Sequence, residues 1–423
     1  MPAGGEHGWQ WRYVMANPCN VLLQRTLHPV GQGGFYTEHF FVEDTKFPDS
    51  KLYTVVYDCG SSTKGTNHSA VVTPLATSIK KTFKKDSEID LLFVSHFDED
   101  HINGLPITVE GNMLRVKHLV LPFLSNSQRL MIALSGCIMK FDDASLKKRF
   151  NADKLTYIKQ IGQNNNAASV QDFDPSTIID SGTPLRETPA DYFWEYIPYN
   201  VCDNSTFESF LDYLLENHHS LATRLRIIDN EDLIDDIEDN GVITKQEWAS
   251  IKECYRNFDG VKRNDSSLIV YSGPIDTPDK KPKSSWQFTT INAERFYGVS
   301  GKNYYWLAGR KNRVAALYTG DINLNYKTVH GKTVVEYISQ ALKAKLDLIG
   351  TLQIPHHGSK HNFDPNVIPT IPGAFSCFYA YGTNNRYGHP FVGIRMMMMA
   401  YHRSVFEVTE RPETEVVQII ELK

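Results

Sequence analysis

"LLFVSHFDEDHINGL", Leu91 to Leu105, decides how this chain is read. An apolar run, Leu91 to Val94, leads into His96, Asp98, Glu99, Asp100 and His101. A buried strand that ends this way delivers imidazoles and carboxylates to a loop at a sheet edge, where they converge on cations. His96, Asp98, Asp100 and His101 are good metal ligands, and the alternation lets both sides of the turn contribute. A solvated acidic turn with two incidental histidines is the plainer alternative.

Three other stretches repeat the format and weigh against that alternative. "LYTGDI" ends an apolar strand with Asp321, a carboxylate placed to bridge two ions. "LQIPHHGSKHN" ends another with His356 and His357, and "YGTNNRYGHP" supplies Asn384, Asn385, Tyr387 and His389.

Around these motifs the chain has ordinary globular composition. Its 423 residues are 41% hydrophobic, 22% charged and 12% aromatic, enough for one large core or two smaller ones. A net charge of −5 excludes a polybasic nucleic-acid binder, although a local basic patch is compatible with it. Cys19, Cys59, Cys137, Cys202, Cys254 and Cys377 are scattered without a CxxC pair, as for reduced thiols in the cytoplasm. No signal peptide or membrane-spanning run is expected, so the chain reads as soluble and cytoplasmic.

The pattern along the chain is strands, a helical stretch, then strands and helices again. "NVLLQRTLHPV", "YTEHFFVED", "KLYTVVYDCG", "IDLLFVSH" and "VKHLVLPFL" read as strands, with a short helix at "ATSIKKTFKKD". "SFLDYLLENHHSLATRL" and "TKQEWASIKECYRNF" carry apolar residues at helical spacing. The expected organisation is a core whose first half spans 1–124, a mostly helical insertion at 125–262, and a second core half at 263–423. Within that half, 274–310, rich in Pro, Lys and Ser, reads as a loop insertion.

Seven stretches occur in an order that resembles the metallo-β-lactamase superfamily. Within it, the chain is most similar to the β-lactamase-like nuclease domain of the competence DNA-uptake protein ComEC. They are "VGQGG", "YDCGSS", "SHFDEDHINGL", "NDSSLIV", "YTGDI", "IPHHGSK" and "NNRYGHP", covering roughly 27–122 and 262–395. The resemblance implies an α/β fold, an αβ/βα four-layer sandwich with an inserted helical subdomain. It implies two divalent metal ions at the sheet edge. His96 and Asp98 match ligands of one ion, Asp100 and His101 those of the other, and Asp321 matches the bridging carboxylate. His356 matches the late histidine ligand, with His357 beside it as a supporting or substrate contact. Asp98 replaces the superfamily's usual second histidine. "NDSS" stands where a further histidine is usual, which makes Asn264 or Asp265 candidate ligands. The shift toward oxygen donors favours Mn²⁺, with Zn²⁺ close behind.

The chemistry implied is phosphodiester hydrolysis by a metal-bound hydroxide. Asp100, His357, His389, Asn385 and Tyr387 are the candidate catalytic residues, His389 as proton donor or phosphate contact and Asn385 and Tyr387 as phosphate positioners. DNA is the expected substrate. Lys360, Lys80, Lys81, Lys84, Lys85 and the "KKPK" run at Lys280 to Lys283 are cations that suit its backbone. A small phosphodiester, of phosphorylcholine-ester or nucleotide type, is the rival substrate. A non-catalytic, metal-stabilised scaffold that binds a protein partner through the helical insertion is the third reading.

Two other patterns are given ordinary readings. "DIEDNGVITKQE" (Asp236 to Glu247) nearly spells an EF-hand loop, but Glu238 is too long for its third position. Thr244 and Glu247 read better as a helix capping box. Met396 to Met399 read as flexible gap-fillers of the core.

Overall fold

The computed structural model describes residues 21–44, 47–64, 73–135, 141–161, 178–186, 194–202, 205–227, 244–258, 266–275, 286–291, 303–306, 313–327, 331–363, 365–374 and 376–422. In chain order the strands are β1 Val21–Leu27, β2 Phe35–Asp44, β3 Phe47–Cys59, β4 Glu88–Phe93, β5 Thr108–Val109, β6 Asn112–Met113, β7 Arg115–Pro122, β8 Ala152–Ile158 and β9 Ile178–Ile179. They continue with β10 Trp194–Cys202, β11 Ser266–Pro274, β12 Trp286–Ile291, β13 Asn303–Trp306, β14 Ala315–Tyr318, β15 Ile349–Gln353, β16 Ser376–Ala380, β17 Ser404–Val408 and β18 Val416–Leu422. The helices are α1 Pro74–Thr82, α2 Glu99–Ile102, α3 Asn126–Ser135, α4 Asp143–Phe150, α5 Ser205–Asn217, α6 His219–Ile227, α7 Lys245–Asn257, α8 Val334–Leu342 and α9 Val392–Ala400.

These strands form two large sheets. One runs β13-β12-β18-β1-β2-β3-β4-β7-β8-β9 and the other β10-β11-β14-β15-β16-β17. Alternation along β4 explains why the strand ends in an unbroken apolar run, Leu91 to Phe93. Leu91 and Phe93 face the opposite sheet, in one core with Phe40, Trp194, Tyr318 and Phe378. Leu92 points the other way, packing with Ile79 of α1 and with Leu146 and Phe150 of α4. A strand covered on both faces has no place for polar alternation. The second sheet repeats the arrangement, with Leu317 and Leu352 against Val334 and Ile338 of α8 and Ile394 and Met398 of α9. Helices, sheet, sheet, helices is the αβ/βα four-layer sandwich that the resemblance implies.

Residues Leu130, Phe210, Leu214, Trp248 and Ile251 make a fourth cluster from α3, α5 and α7, so this helical part carries its own small core. Thr244 caps α7 with Glu247 in a capping box. The first positions of the EF-hand reading, Asp236 to Ile243, lie outside the described residues.

Several expectations are corrected here. The 125–262 stretch is not purely an insertion: β8 and β9 extend the first sheet, and β10 pairs with β11 in the second. The 274–310 stretch is not all loop, because β12 pairs with β18 and β13 with β12. Pro, Lys and Ser set its composition, while the strand signal sits in the β-prone "WQFTTI". The Met run is not core filler as a whole. Met398 is buried, but Met396 and Met399 are 70% and 62% exposed. Four consecutive helical residues sweep round the axis, so only one of them faces inward.

A buried ionic network ties the two sheets together. Arg25 on β1 meets Glu38 on β2 at 2.7 Å, both essentially sealed from solvent. Glu38 also accepts from Tyr196 of β10 at 2.7 Å, Ser272 of β11 at 2.7 Å and Tyr318 of β14 at 3.0 Å. Burial acts to lower the Arg25 pKa, but Glu38 and the tyrosines outweigh it and hold the guanidinium charged. Among the described residues, no helix is long and apolar enough to cross a membrane.

Candidate metal centre

The centre lies where loops leave the ends of β3, β4, β14, β15 and β16. His96 follows β4, and Asp100 and His101 sit on the single turn of α2. Asp98 precedes that turn, and its carboxylate makes no capping bond to it. The loop after β3 clasps α2 from behind. A Cβ on Gly60 would lie 2.5 Å from the His101 backbone nitrogen, so only glycine allows this approach. Asp321 follows β14 and is buried.

His356 and His357 both take left-handed backbone conformations, with φ of 50° and 55°. Such residues are disfavoured by about 1–2 kcal/mol each, so the loop needs anchors. The His356 amide donates to Gly320 at 3.2 Å, and the Phe391 amide donates to Gly358 at 2.9 Å. The turn therefore sends the two imidazoles in different directions.

Two donor sets converge. His96, His101 and Asp321 form one, and Asp100, His101 and His357 the other, each with its ligand atoms within 4.8 Å of one another. His101 Nε2 is 3.3 Å from Asp321, and His357 Nε2 lies 3.3 Å from Asp100 and 3.7 Å from Asp321. His96 Nε2 lies 3.8 Å from Asp98 and 3.9 Å from Asp321. The Nε2 atoms of His101 and His357 are buried and make no hydrogen bond. A buried ring nitrogen without a hydrogen-bond partner is costly, and two facing the same carboxylates are what a cation site requires. The residues fit divalent metal.

The opposite ring nitrogens are held from behind. Asp58 accepts from His101 Nδ1 at 2.9 Å and from the Ser95 hydroxyl at 2.6 Å, and Ser95 Oγ contacts His96 Nδ1 at 2.8 Å. One carboxylate thereby fixes both imidazoles with Nδ1 protonated and Nε2 forward. His357 Nδ1 is held by the Ala380 carbonyl at 2.8 Å. Asp58, within "YDCGSS", is a supporting residue that sequence reasoning alone misses. The signal available was an acid ending a buried strand.

The acids and imidazoles of the centre shift one another's proton affinities. Burial acts to raise Asp321, but His101, His357 and His356 outweigh it and hold the carboxyl well below its usual range. Burial acts to lower His101, and Asp321 and Asp58 reverse that, raising it well above an ordinary imidazole. His357 is raised in the same way by Asp321 and Asp100. Burial, with Asp100 and Asp321, pushes Asp98 up to about 7. Its side chain is 40% exposed, so solvent relieves part of that push. A divalent ion would compete with protons for these same atoms.

The remaining candidates divide. His357, read as a supporting contact, holds the inner position, while His356 is partly exposed with its Nε2 4.0 Å from Asp321. His357, and not His356, is among the residues whose donor atoms cluster as a candidate ion site. His389 stands at the rim, its ring 5.4 Å from His356 and 6.4 Å from His357. Burial and those two histidines push it down to about 4, which leaves the ring uncharged at neutral pH. Asn385 does not face a phosphate. Its Nδ2 donates to the carbonyls of Gly382 and His389, and its Oδ1 accepts from the amides of Tyr387 and His389, so it builds the loop. Tyr387 is 71% exposed beside His389. Asn264 and Asp265 lie outside the described residues, as do Lys280 to Lys283. Lys81 pairs with Glu415 at 2.6 Å, and Lys80, Lys84, Lys85 and Lys360 are exposed.

Two outcomes test this geometry. His357→Ala is expected to bind fewer metal equivalents than the wild type, and His356→Ala to keep the full number, by metal analysis after dialysis. Loss of metal in His356→Ala alone would restore the original assignment. Asp58→Asn is expected to weaken metal binding by roughly 10- to 100-fold with the fold intact, since removal of such orienting groups has that effect. Calorimetric titration with Zn²⁺ reads it, and unchanged affinity would remove Asp58 from the centre.

No family model matches the sequence, and no curated protein matches it either. Similar solved structures include the metallo-beta-lactamase fold protein YhfI from Bacillus subtilis, at 8% identity and TM-score 0.34, covering 93% of this chain and 98% of that one. A long form RNase Z from yeast, at 9% identity and TM-score 0.34, covers 92% of this chain and 45% of its own. Likeness at this level carries no conclusion about activity, and the fold assignment stands on the layers and sheet orders described above.

Proposed function

We propose that this chain is a metal-dependent phosphodiester hydrolase of metallo-β-lactamase type that cleaves nucleic acid, DNA first, in keeping with its ComEC-like motifs. One observation carries the reading. The buried, unbonded Nε2 atoms of His101 and His357 belong to two overlapping donor sets that His96, Asp100 and Asp321 complete. Asp100, His101, His357 and Asp321 would hold one ion, and His96, Asp98 and Asp321 a second. Such ions supply Lewis acidity to a phosphoryl oxygen and lower the pKa of a water.

The chain's own groups do the rest. Asp58 and the Ala380 carbonyl keep the imidazoles oriented through the reaction. His389, uncharged at the rim, offers an N–H to a phosphoryl or leaving oxygen. The mixed oxygen and nitrogen donors favour Mn²⁺, then Zn²⁺. An open rim, with Tyr387 71% and Phe391 41% exposed, supports a polymeric substrate over a small one enclosed in a pocket.

The test is metal-stripped protein incubated with labelled single- and double-stranded DNA plus Mn²⁺, Zn²⁺, Mg²⁺ or no ion. Cleavage that requires Mn²⁺ or Zn²⁺ is expected. DNA intact under every ion, with bis(p-nitrophenyl) phosphate hydrolysed, would transfer the site to a small diester. Bound metal with neither substrate cleaved would point to a scaffold.

A further inference from the structure

Seven of the nine large apolar residues exposed among the described residues fall between Tyr387 and Tyr401, in the loop of His389 and the helix that follows it. Scattered apolar exposure is ordinary, but a cluster marks an interaction site. This one borders the metal centre. The Tyr387 ring lies parallel to that of His389, 18° apart in plane with centroids at 6.0 Å. His389 in turn neighbours His356 and His357, so the aromatic surface continues outward from the centre.

The loop is also fixed in shape. Asn385 ties its two ends through the bonds to Gly382 and His389, and Phe391 is pinned to the Gly358 carbonyl at 2.9 Å. Packing does not account for Tyr387, which is 71% exposed, so the fold itself gains little from a large ring there. A solvent-facing aromatic carried on an anchored loop is presented to a flat ligand with less backbone entropy to lose on binding. Arg386, beside it in the chain, is exposed as well and suits a phosphate. Val392, Met396 and Met399 prolong the apolar surface along one face of α9.

Resting on the phosphodiesterase reading, we propose that Tyr387, with His389 behind it, is a stacking platform for an unpaired nucleobase next to the scissile phosphate. A base inside a duplex is already stacked on both faces and cannot use such a surface. The platform therefore selects single-stranded nucleic acid, or a nucleotide-sized diester carrying a free base.

The experiment uses the full chain loaded with Mn²⁺. Tyr387→Ala is expected to raise KM for a short single strand by roughly 5- to 100-fold, the range of base–aromatic stacking. Tyr387→Trp should keep the wild-type KM. A strand carrying 2-aminopurine should show stacking-dependent quenching before turnover with the wild type and lose it with Tyr387→Ala. A strand lacking one base beside the cleavage site should behave toward the wild type as an intact strand does toward Tyr387→Ala. A dinucleotide cleaved with the same KM as the longer strand would keep the platform and assign it the smaller source. Single strands cleaved with KM and quenching unchanged in Tyr387→Ala would overturn the platform alone, as would equal cleavage of duplex. Turnover of bis(p-nitrophenyl) phosphate without cleavage of any strand would overturn the nucleic-acid reading together with it. Capture on anionic phospholipid vesicles, lost in Met396→Ser/Met399→Ser while strands are handled as before, would reassign the surface to a membrane.

Discussion

Asp321→Asn is expected to lower phosphodiester turnover by about 10³-fold or more, the scale of the several kcal/mol that metal-ion catalysis supplies. Among the described residues, Asp321 is the one carboxylate within 4.0 Å of all four imidazoles at the centre, His96, His101, His356 and His357. Asparagine keeps its shape and its buried position but neither its charge nor its basicity toward a cation. Without that charge, one of the acids that hold His101 and His357 protonated is also gone. The variant should therefore stay folded, bind less metal and lose activity together with the metal. Turnover, metal content and circular dichroism on the same sample separate these effects. Full activity in a folded Asp321→Asn would remove this carboxylate from the chemistry.

Glu38→Ala should cost about 3–5 kcal/mol of stability, the usual penalty for breaking a buried ion pair from one side. Arg25 would remain charged and sealed between the sheets, and the hydroxyls of Tyr196, Ser272 and Tyr318 would lose their acceptor. Tyr318 lies three residues before Asp321, so the loss falls on the strand that positions the centre. Urea unfolding of the metal-free protein measures it. A change below about 1 kcal/mol, the range of exposed pairs, would show that water reaches the network.

Much of this was legible because the chemistry follows directly from strand ends. Apolar runs terminating at His96, Asp321 and the His356–His357 pair announce both a doubly covered strand and a loop of candidate ligands. Other features depend on which neighbour a residue meets in space. Arg25 faces Glu38 across consecutive strands, but nothing near Glu38 in the chain announces Tyr196, Ser272 or Tyr318, which come from strands distant in sequence. Asp58 reads as one acid among many until its contact with His101 is seen. The choice between His356 and His357 turns on two left-handed residues, and neighbouring positions give no sign of which ring turns inward. Asn385 looked like a phosphate ligand because its amide offers the right groups, all of which the loop backbone uses. Strands β12 and β13 were obscured by the Pro- and Lys-rich sequence before them.

The central claim is that two divalent ions held by these side chains drive phosphodiester hydrolysis. The most direct test titrates metal-stripped protein with Mn²⁺ while following hydrolysis of bis(p-nitrophenyl) phosphate, with Asp321→Asn in parallel. The account predicts a rate that starts at background, rises with added ion, levels off when two equivalents are bound, and stays at background in the variant. A rate independent of metal, or equal in Asp321→Asn, would contradict it.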